Sequence, residues 1–256
     1  MQTVPNLMDW HQRYIQQARW TRDLRHYLYA RASIENVRCI LDVGCGTGVL
    51  AAELFELCKA KVYGVDIAQN HLEMATRNAH EGAFTQGDAH ELPFLTGAFD
   101  LAFCHFVLLW VADPLRVVQE MARVVIPGGA VVALAEPDYG GRIDYPRELA
   151  VLGERQRLAL LRQGADAEMG RKLAGIFHLA GLTSVETGVL GGQWGSTPSQ
   201  DEWDSEWRVM EYDLKEYPRE AIDASRLKAL DWSAWQSGNR VLFVPTFYAI
   251  GYVPKK

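Results

Sequence analysis

Ile40-Leu41-Asp42-Val43-Gly44-Cys45-Gly46-Thr47-Gly48-Val49-Leu50 sets three glycines at alternate positions between two apolar runs. Residues 39–43 read as a buried strand, and residues 49–58 (VLAAELFELC) as a helix with an apolar stripe. A glycine-rich turn at such a junction lets a ligand approach the backbone where a Cβ would collide. The next apolar run, Lys61-Val62-Tyr63-Gly64-Val65, ends in Asp66, twenty residues after Gly46. A carboxylate at that place can accept hydrogen bonds from both hydroxyls of an adenosine ribose. Strand, glycine turn, helix and a second strand ending in an acid make a nucleoside-binding half-fold.

Outward from this unit, strands alternate with helices over residues 38–138, the pattern of a parallel sheet covered on both faces. Strands are expected over 38–43, 61–65, 83–86, 101–105 and 130–135, with helices over 49–58, 70–79 and 114–125. Asn70 is the expected N-cap of the second helix, and Asp113 followed by Pro114 that of the third. Upstream, residues 7–31 place Leu7, Trp10, Tyr14 and Ala18, then Trp20, Leu24, Tyr27 and Leu28, on two offset helical stripes. One long or two short helices follow from that, with Arg13, Arg19, Arg22, Arg25 and Arg31 as their solvated face.

Downstream, helices are expected over 147–163 and 169–180, a sixth strand over 183–189 and a seventh over 240–253, where Pro245 implies an edge or a bulge. The roughly fifty residues between these two strands far exceed a hairpin loop. They hold Trp194, Trp203, Trp207, Trp232 and Trp235, five of the eight tryptophans. Either the tryptophans build the small core of an inserted helical pair, or some of them form an aromatic lid over an apolar or cationic substrate. The expected fold is thus α/β: a doubly wound, seven-stranded, mostly parallel sheet with N-terminal helices and a helical insertion before the last strand. Its parts are a helical cap (1–36), a core (37–191 with 239–256) and an insertion or lid (192–238).

At 256 residues, 48% hydrophobic and 23% charged, the composition is that of an ordinary globular chain. A net charge of −6 disfavours a large nucleic-acid footprint. Cys39, Cys45, Cys58 and Cys104 show neither a Cys-x-x-Cys pair nor zinc-ligand spacing, so no metal and no disulfide framework is expected. With no leader pattern and no apolar run of spanning length, the chain reads as cytoplasmic, as a monomer or homodimer.

The spacing also separates two cofactors. Nicotinamide dinucleotides favour Gly-x-Gly-x-x-Gly, which receives a pyrophosphate. Here Gly-x-Gly-x-Gly follows Asp42, which would repel a pyrophosphate but can hold an ammonium group. Leu41-Asp42-Val43-Gly44-Cys45-Gly46-Thr47-Gly48 closely resembles motif I of the class I S-adenosylmethionine-dependent methyltransferases. The resemblance continues through Asp66, Gln86-Gly87-Asp88-Ala89, Phe99-Asp100-Leu101-Ala102-Phe103, Asp113-Pro114 and Val125-Ile126-Pro127-Gly128-Gly129. It covers roughly residues 38–138 and points to the ubiquinone/menaquinone-biosynthesis-like branch.

The resemblance implies S-adenosylmethionine as cofactor, S-adenosylhomocysteine as product and a small-molecule methyl acceptor. It implies that Gly44, Cys45, Gly46 and Gly48 line the methionine and ribose, that Asp42 holds the amino end and that Asp66 takes the ribose hydroxyls. Ile67 would pack on the adenine, Asp88 and Ala89 would bond it, and His105 and Phe106 would lie near the transferring methyl. In-line methyl transfer needs alignment and water exclusion more than proton transfer. The candidate catalytic residues are therefore few: His105, Asp138 and Tyr139. Tyr14, Trp110, Tyr139 and Arg142 are the candidate substrate contacts. Competing readings are a methyltransferase of RNA or protein, a nicotinamide-dependent oxidoreductase and a non-catalytic cofactor-binding module.

Overall fold

The computed structural model describes residues 6–189, 197–215 and 223–255. Trp194 lies outside them. Two N-terminal helices, α1 (Leu7–Trp20) and α2 (Arg22–Arg31), precede the first strand, so the two offset stripes belong to two helices. A capping box opens α1: the Asn6 side chain accepts from the amides of Met8 and Asp9, and Asp9 accepts from the Asn6 amide. The alternating region follows as β1 (Cys39–Val43), α3 (Val49–Leu57), β2 (Lys61–Asp66), α4 (Gln69–Asn78), β3 (Ala83–Gln86), β4 (Phe99–Cys104), α5 (Pro114–Val124) and β5 (Val125–Pro137). Then come β6 (Ile143–Tyr145), α6 (Ala150–Arg162), α7 (Leu173–Leu179), β7 (Thr183–Val189), α8 (Gln200–Lys215), α9 (Ala224–Gln236), β8 (Val241–Phe243) and β9 (Thr246–Tyr252).

Seven strands form one sheet in the order β3-β2-β1-β4-β5-β9-β7, and the pairs β3-β2, β2-β1, β1-β4 and β4-β5 are parallel. The order reverses beside β1, which puts the glycine loop at the switch point where open α/β sheets bind ligands. Central strands are buried on both faces: Ile40, Leu41 and Val43 in β1, and Leu101, Ala102 and Phe103 in β4, are at most 1% exposed. That is why they read as continuous apolar runs without alternation.

Three expectations need correction. The seventh strand is two strands: Val244 and Pro245 interrupt it, and β8 pairs with β6 in a separate antiparallel two-stranded sheet. Pro245 has no amide to give a ladder, and its carbonyl instead accepts from the Asp138 amide at 2.8 Å. Helix α4 starts at Gln69 with Ala68 at its cap, not Asn70, because Asp66 already takes the Ala68 amide at 2.9 Å. Arg25 does not lie on a solvated face; it is 1% exposed.

The chain divides into two compact units, one of residues 1–136, 170–188 and 247–256, the other of residues 137–169 and 189–246. The second unit takes in more than the insertion. Its core is Leu149, Leu152, Trp203, Trp207 and Met210, with Trp232 and Trp235 packed against it. The described tryptophans of the insertion therefore serve one another: Trp203 and Trp232 rings are 4.8 Å apart. Both indole N–H groups of Trp203 and Trp207 donate to Asp231, which also pairs with Arg240.

Candidate functional site

The glycine loop closes the step from β1 to α3 by turning left-handed three times: Gly44, Gly46 and Gly48 have φ of +73°, +51° and +77°. Side chains are strained there whatever the space. The space is also occupied. A Cβ on Gly44 would meet Val107 Cγ2 at 2.4 Å, one on Gly46 the Tyr14 ring at 3.1 Å, and one on Gly48 the backbone of Ala75 at 3.0 Å. Gly44 and Gly48 thus admit neighbouring chain, a second reason for glycine beyond the close ligand approach the sequence implied.

Asp66, at the end of β2, accepts the Gly46 amide on Oδ2 at 2.8 Å and the Ala68 amide on Oδ1 at 2.9 Å. Each oxygen keeps acceptor capacity. Asp42 is different. It is 2% exposed, and no hydrogen-bond donor among the described residues reaches its carboxylate. Burial, with the Asp66 charge adding to it, pushes its carboxyl well above the ordinary range. A buried acid in that condition calls for a cation. The Cys45 thiol is also driven up by burial and by the charges of Asp42 and Asp66, which favours its protonated form.

Ile67, 70% exposed, offers an open apolar surface just past Asp66. Asp88, followed by Ala89, uses Oδ1 to accept from the amide of His90 at 2.9 Å and from its ring Nδ1 at 2.7 Å. The Asp113 amide can only donate, and it donates to His90 Nε2 at 3.2 Å, so the proton of this imidazole sits on Nδ1. These His90 bonds hold the Asp88 carboxyl below its ordinary range. The sequence reading missed His90, although its place two residues after the acid is the signal of a local turn.

His105, just beyond β4, has its Nε2 2.8 Å from Thr21 Oγ1. Thr21 in turn accepts from Arg25 Nη1 at 2.7 Å, and Arg25 ion-pairs with Glu53 of α3. Enclosure, with the Arg25 charge adding to it, pushes the His105 ring down to about 3. At that value the ring is neutral at physiological pH. The Phe106 ring stands edge-on to it at 4.7 Å. Trp110 is 46% exposed. Arg25 and Thr21 had a readable sign: four residues apart, they share the helix stripe of Leu24 and Leu28.

Helix α1 covers the loop. His11 Nδ1 lies 2.8 Å from Thr47 Oγ1, and the Tyr14 ring meets His71 edge-on at 5.8 Å. Burial and the Asp66 charge raise the Tyr14 phenol to about 12. The remaining candidates belong to the second unit. Asp138 accepts from the Gly141 amide at 3.2 Å, capping a single turn that starts at Tyr139. The Arg142 side chain is 4% exposed and holds Asp144 at 2.6 Å as well as Gln156. Among the described residues no group of three His, Cys, Asp or Glu could hold a metal ion, and no helix is long and apolar enough to cross a membrane.

A family model described as methyltransferase domain matches residues 41–133. Demethylmenaquinone methyltransferase of Bacillus velezensis is 34% identical over 166 residues, 57% of this chain and 71% of that protein. Methyltransferase GfsG of Streptomyces halstedii is 36% identical over 123 residues, 46% of this chain and 44% of that one. Among solved structures, phosphoethanolamine N-methyltransferase 2 of Haemonchus contortus with bound S-adenosylmethionine aligns at a TM-score of 0.60 and 16% identity. It covers 91% of this chain, which spans 53% of that one. The [4+2]-cyclase SpnF aligns at 0.57 and 18% identity, over 92% of this chain and 81% of its own, so this fold alone does not dictate the reaction. The sequence kinship does: the chain belongs to the class I S-adenosylmethionine-dependent methyltransferases, in the quinone-biosynthesis-like branch, and is an S-adenosylmethionine-dependent enzyme of methyl transfer.

Proposed function

We propose that this enzyme methylates a small, partly apolar molecule at a site roofed by α1, with the cofactor held by the ends of β1 to β4. Buried Asp42, with no donor of its own, carries the reading of the cofactor side. Asp42 would face the amino end of the methionine, Asp66 the ribose hydroxyls, Ile67 and Ala89 the adenine, and Asp88 its exocyclic amine. Bound S-adenosylmethionine supplies an electrophilic methyl on a sulfonium. The chain's own part is to orient and to exclude water. Tyr14 and His11 close the glycine loop from above, and His105 is a neutral wall fixed by Thr21. With His105 so weak a base, and Asp138 capping a turn, the acceptor is one that gives up its proton readily or has none to lose.

The small-molecule reading draws support from the demethylmenaquinone methyltransferase relative and from the roof. An RNA or protein acceptor would ask for a basic open groove. Three of the five N-terminal arginines are already engaged: Arg25 is buried against Glu53, Arg31 pairs with Glu186 and Arg13 stacks on Trp20. The test is Asp66→Ala. A largely enclosed carboxylate accepting two hydroxyl bonds contributes on the order of 1.5–3 kcal/mol, so S-adenosylhomocysteine should bind roughly ten- to a hundredfold more weakly. Unchanged affinity in a folded variant removes Asp66 from the site.

A further inference from the structure

Glu136, the penultimate residue of β5, is 0% exposed. Among the described residues its carboxylate faces no cation. Oε1 accepts from the amides of Val107 and Leu108, each at 2.9 Å, and Oε2 accepts from that of Leu109 at 3.2 Å. Three consecutive amides at the start of a helical turn lack acceptors of their own, and a carboxylate is the strongest acceptor a side chain can offer. A turn open to water could have been capped by water or by a neutral side chain, without burying a charge.

Two further observations show what the buried acid holds. Phe106 has a φ of +57°, a left-handed conformation that a bulky aromatic residue adopts only when its surroundings force it. Its amide donates to the Ala135 carbonyl at 2.9 Å, so residues 135 and 136 fasten both ends of the strained segment. Next to it, Val107 fills the place of a Gly44 side chain, with Cγ2 2.4 Å from where that Cβ would lie. The turn is thus tied to β5 on one side and seated on the first glycine of the loop on the other.

We propose that Glu136 is a positioning residue of the cofactor site: it sets the turn 106–109, and through Val107 on Gly44 it sets the shape of the glycine loop. This rests on the cofactor-site reading above. Glutamine cannot replace it, because its amide NH₂ would confront either Leu109 or the Val107–Leu108 pair with a donor instead of an acceptor.

The experiment is titration calorimetry of full-length Glu136→Gln with S-adenosylhomocysteine, at a temperature where circular dichroism shows the variant folded. Displacement of the loop should weaken binding by about tenfold or more. A cap that only stabilises would lower Tm and leave the affinity of the folded protein as in wild type, which overturns the proposal. Val107→Ala reads the same link from the other end with the carboxylate in place, and serves if Glu136→Gln does not fold. It should bind about three- to fivefold more weakly, and wild-type affinity there also overturns the proposal. Asp66→Ala in the same series separates the two readings: if it loses affinity while the other variants keep theirs, the role of Glu136 alone falls. If all bind as wild type, the cofactor-site reading falls with it.

Discussion

The edge of the Tyr14 ring lies 3.1 Å from the point where a side chain on Gly46 would begin, so the middle glycine of the loop is closed by the N-terminal helix. Gly46 also has a φ of +51°. Gly46→Val therefore meets two penalties, backbone strain and displacement of Tyr14, together about 2–4 kcal/mol. S-adenosylhomocysteine binding should be abolished while much of the sheet stays folded. The double variant with Tyr14→Ala should recover only the contact part of the loss in urea unfolding. Full recovery would mean that the left-handed backbone costs nothing here.

Arg25→Met removes a cation that serves Glu53, Thr21 and the Ala18 carbonyl at once. Breaking a buried ion pair from one side costs about 3–5 kcal/mol, and the lower end applies because Glu53 keeps 22% of its side chain in water. Chemical denaturation should show that loss. A loss under about 1 kcal/mol would assign the pair to the weak surface class.

Burial pushes the Glu136 carboxyl up to about 7 from an ordinary 4.5, against the pull of its three amide donors. Between those two values the native state holds a proton that the unfolded chain has released; the bare carboxylate that takes all three amides forms as pH rises through 7, and this group's stabilising contribution is lost by then. Between pH 6 and pH 8 the drop is about 1 kcal/mol. Asp42 leans the same way, and Cys104, which feels the Glu136 and Asp42 charges, stays a thiol throughout. The Glu136 share is isolated by comparison: Glu136→Gln should flatten the stability profile over that interval. Parallel profiles for the two proteins would contradict the assignment.

Deleting residues 1–20 removes the α1 cap at Asn6, takes His11 and Tyr14 from above the loop and the Ala18 carbonyl from Arg25. The expected outcome is a folded sheet by circular dichroism with turnover on an identified acceptor reduced by about a hundredfold or more, since water then enters the site. Retained turnover would end the view of α1 as a roof.

What could be read from the sequence is what depends on neighbours in the chain. The glycine loop, Asp66 after β2, and Asp113 with Pro114 at the head of α5 are local geometry, and each stands on the element expected. The pairing of β6 with β8, and the split at Pro245, depend on a segment about a hundred residues away, for which periodicity carries no signal. Arg25 misled for a physical reason: an arginine on a helix is usually solvated, and only the distant Glu53 permits its burial. Nothing in the sequence around Glu136 announces the three amides it meets, which come from a turn about thirty residues earlier.

Asp231 joins Trp203 and Trp207 at 2.6 and 2.8 Å and keeps them 7% and 3% exposed. Trp10, Trp20 and Trp110, by contrast, are 40%, 54% and 46% exposed. The molecule therefore carries two optical reporters of different colour. Indoles enclosed in the second unit emit at shorter wavelength than those facing water, and opening that unit shifts the spectrum towards the red. Ultraviolet-excited emission, followed beside far-ultraviolet dichroism of the sheet, can then tell whether the two units melt together or in turn, without a dye and without a mutation.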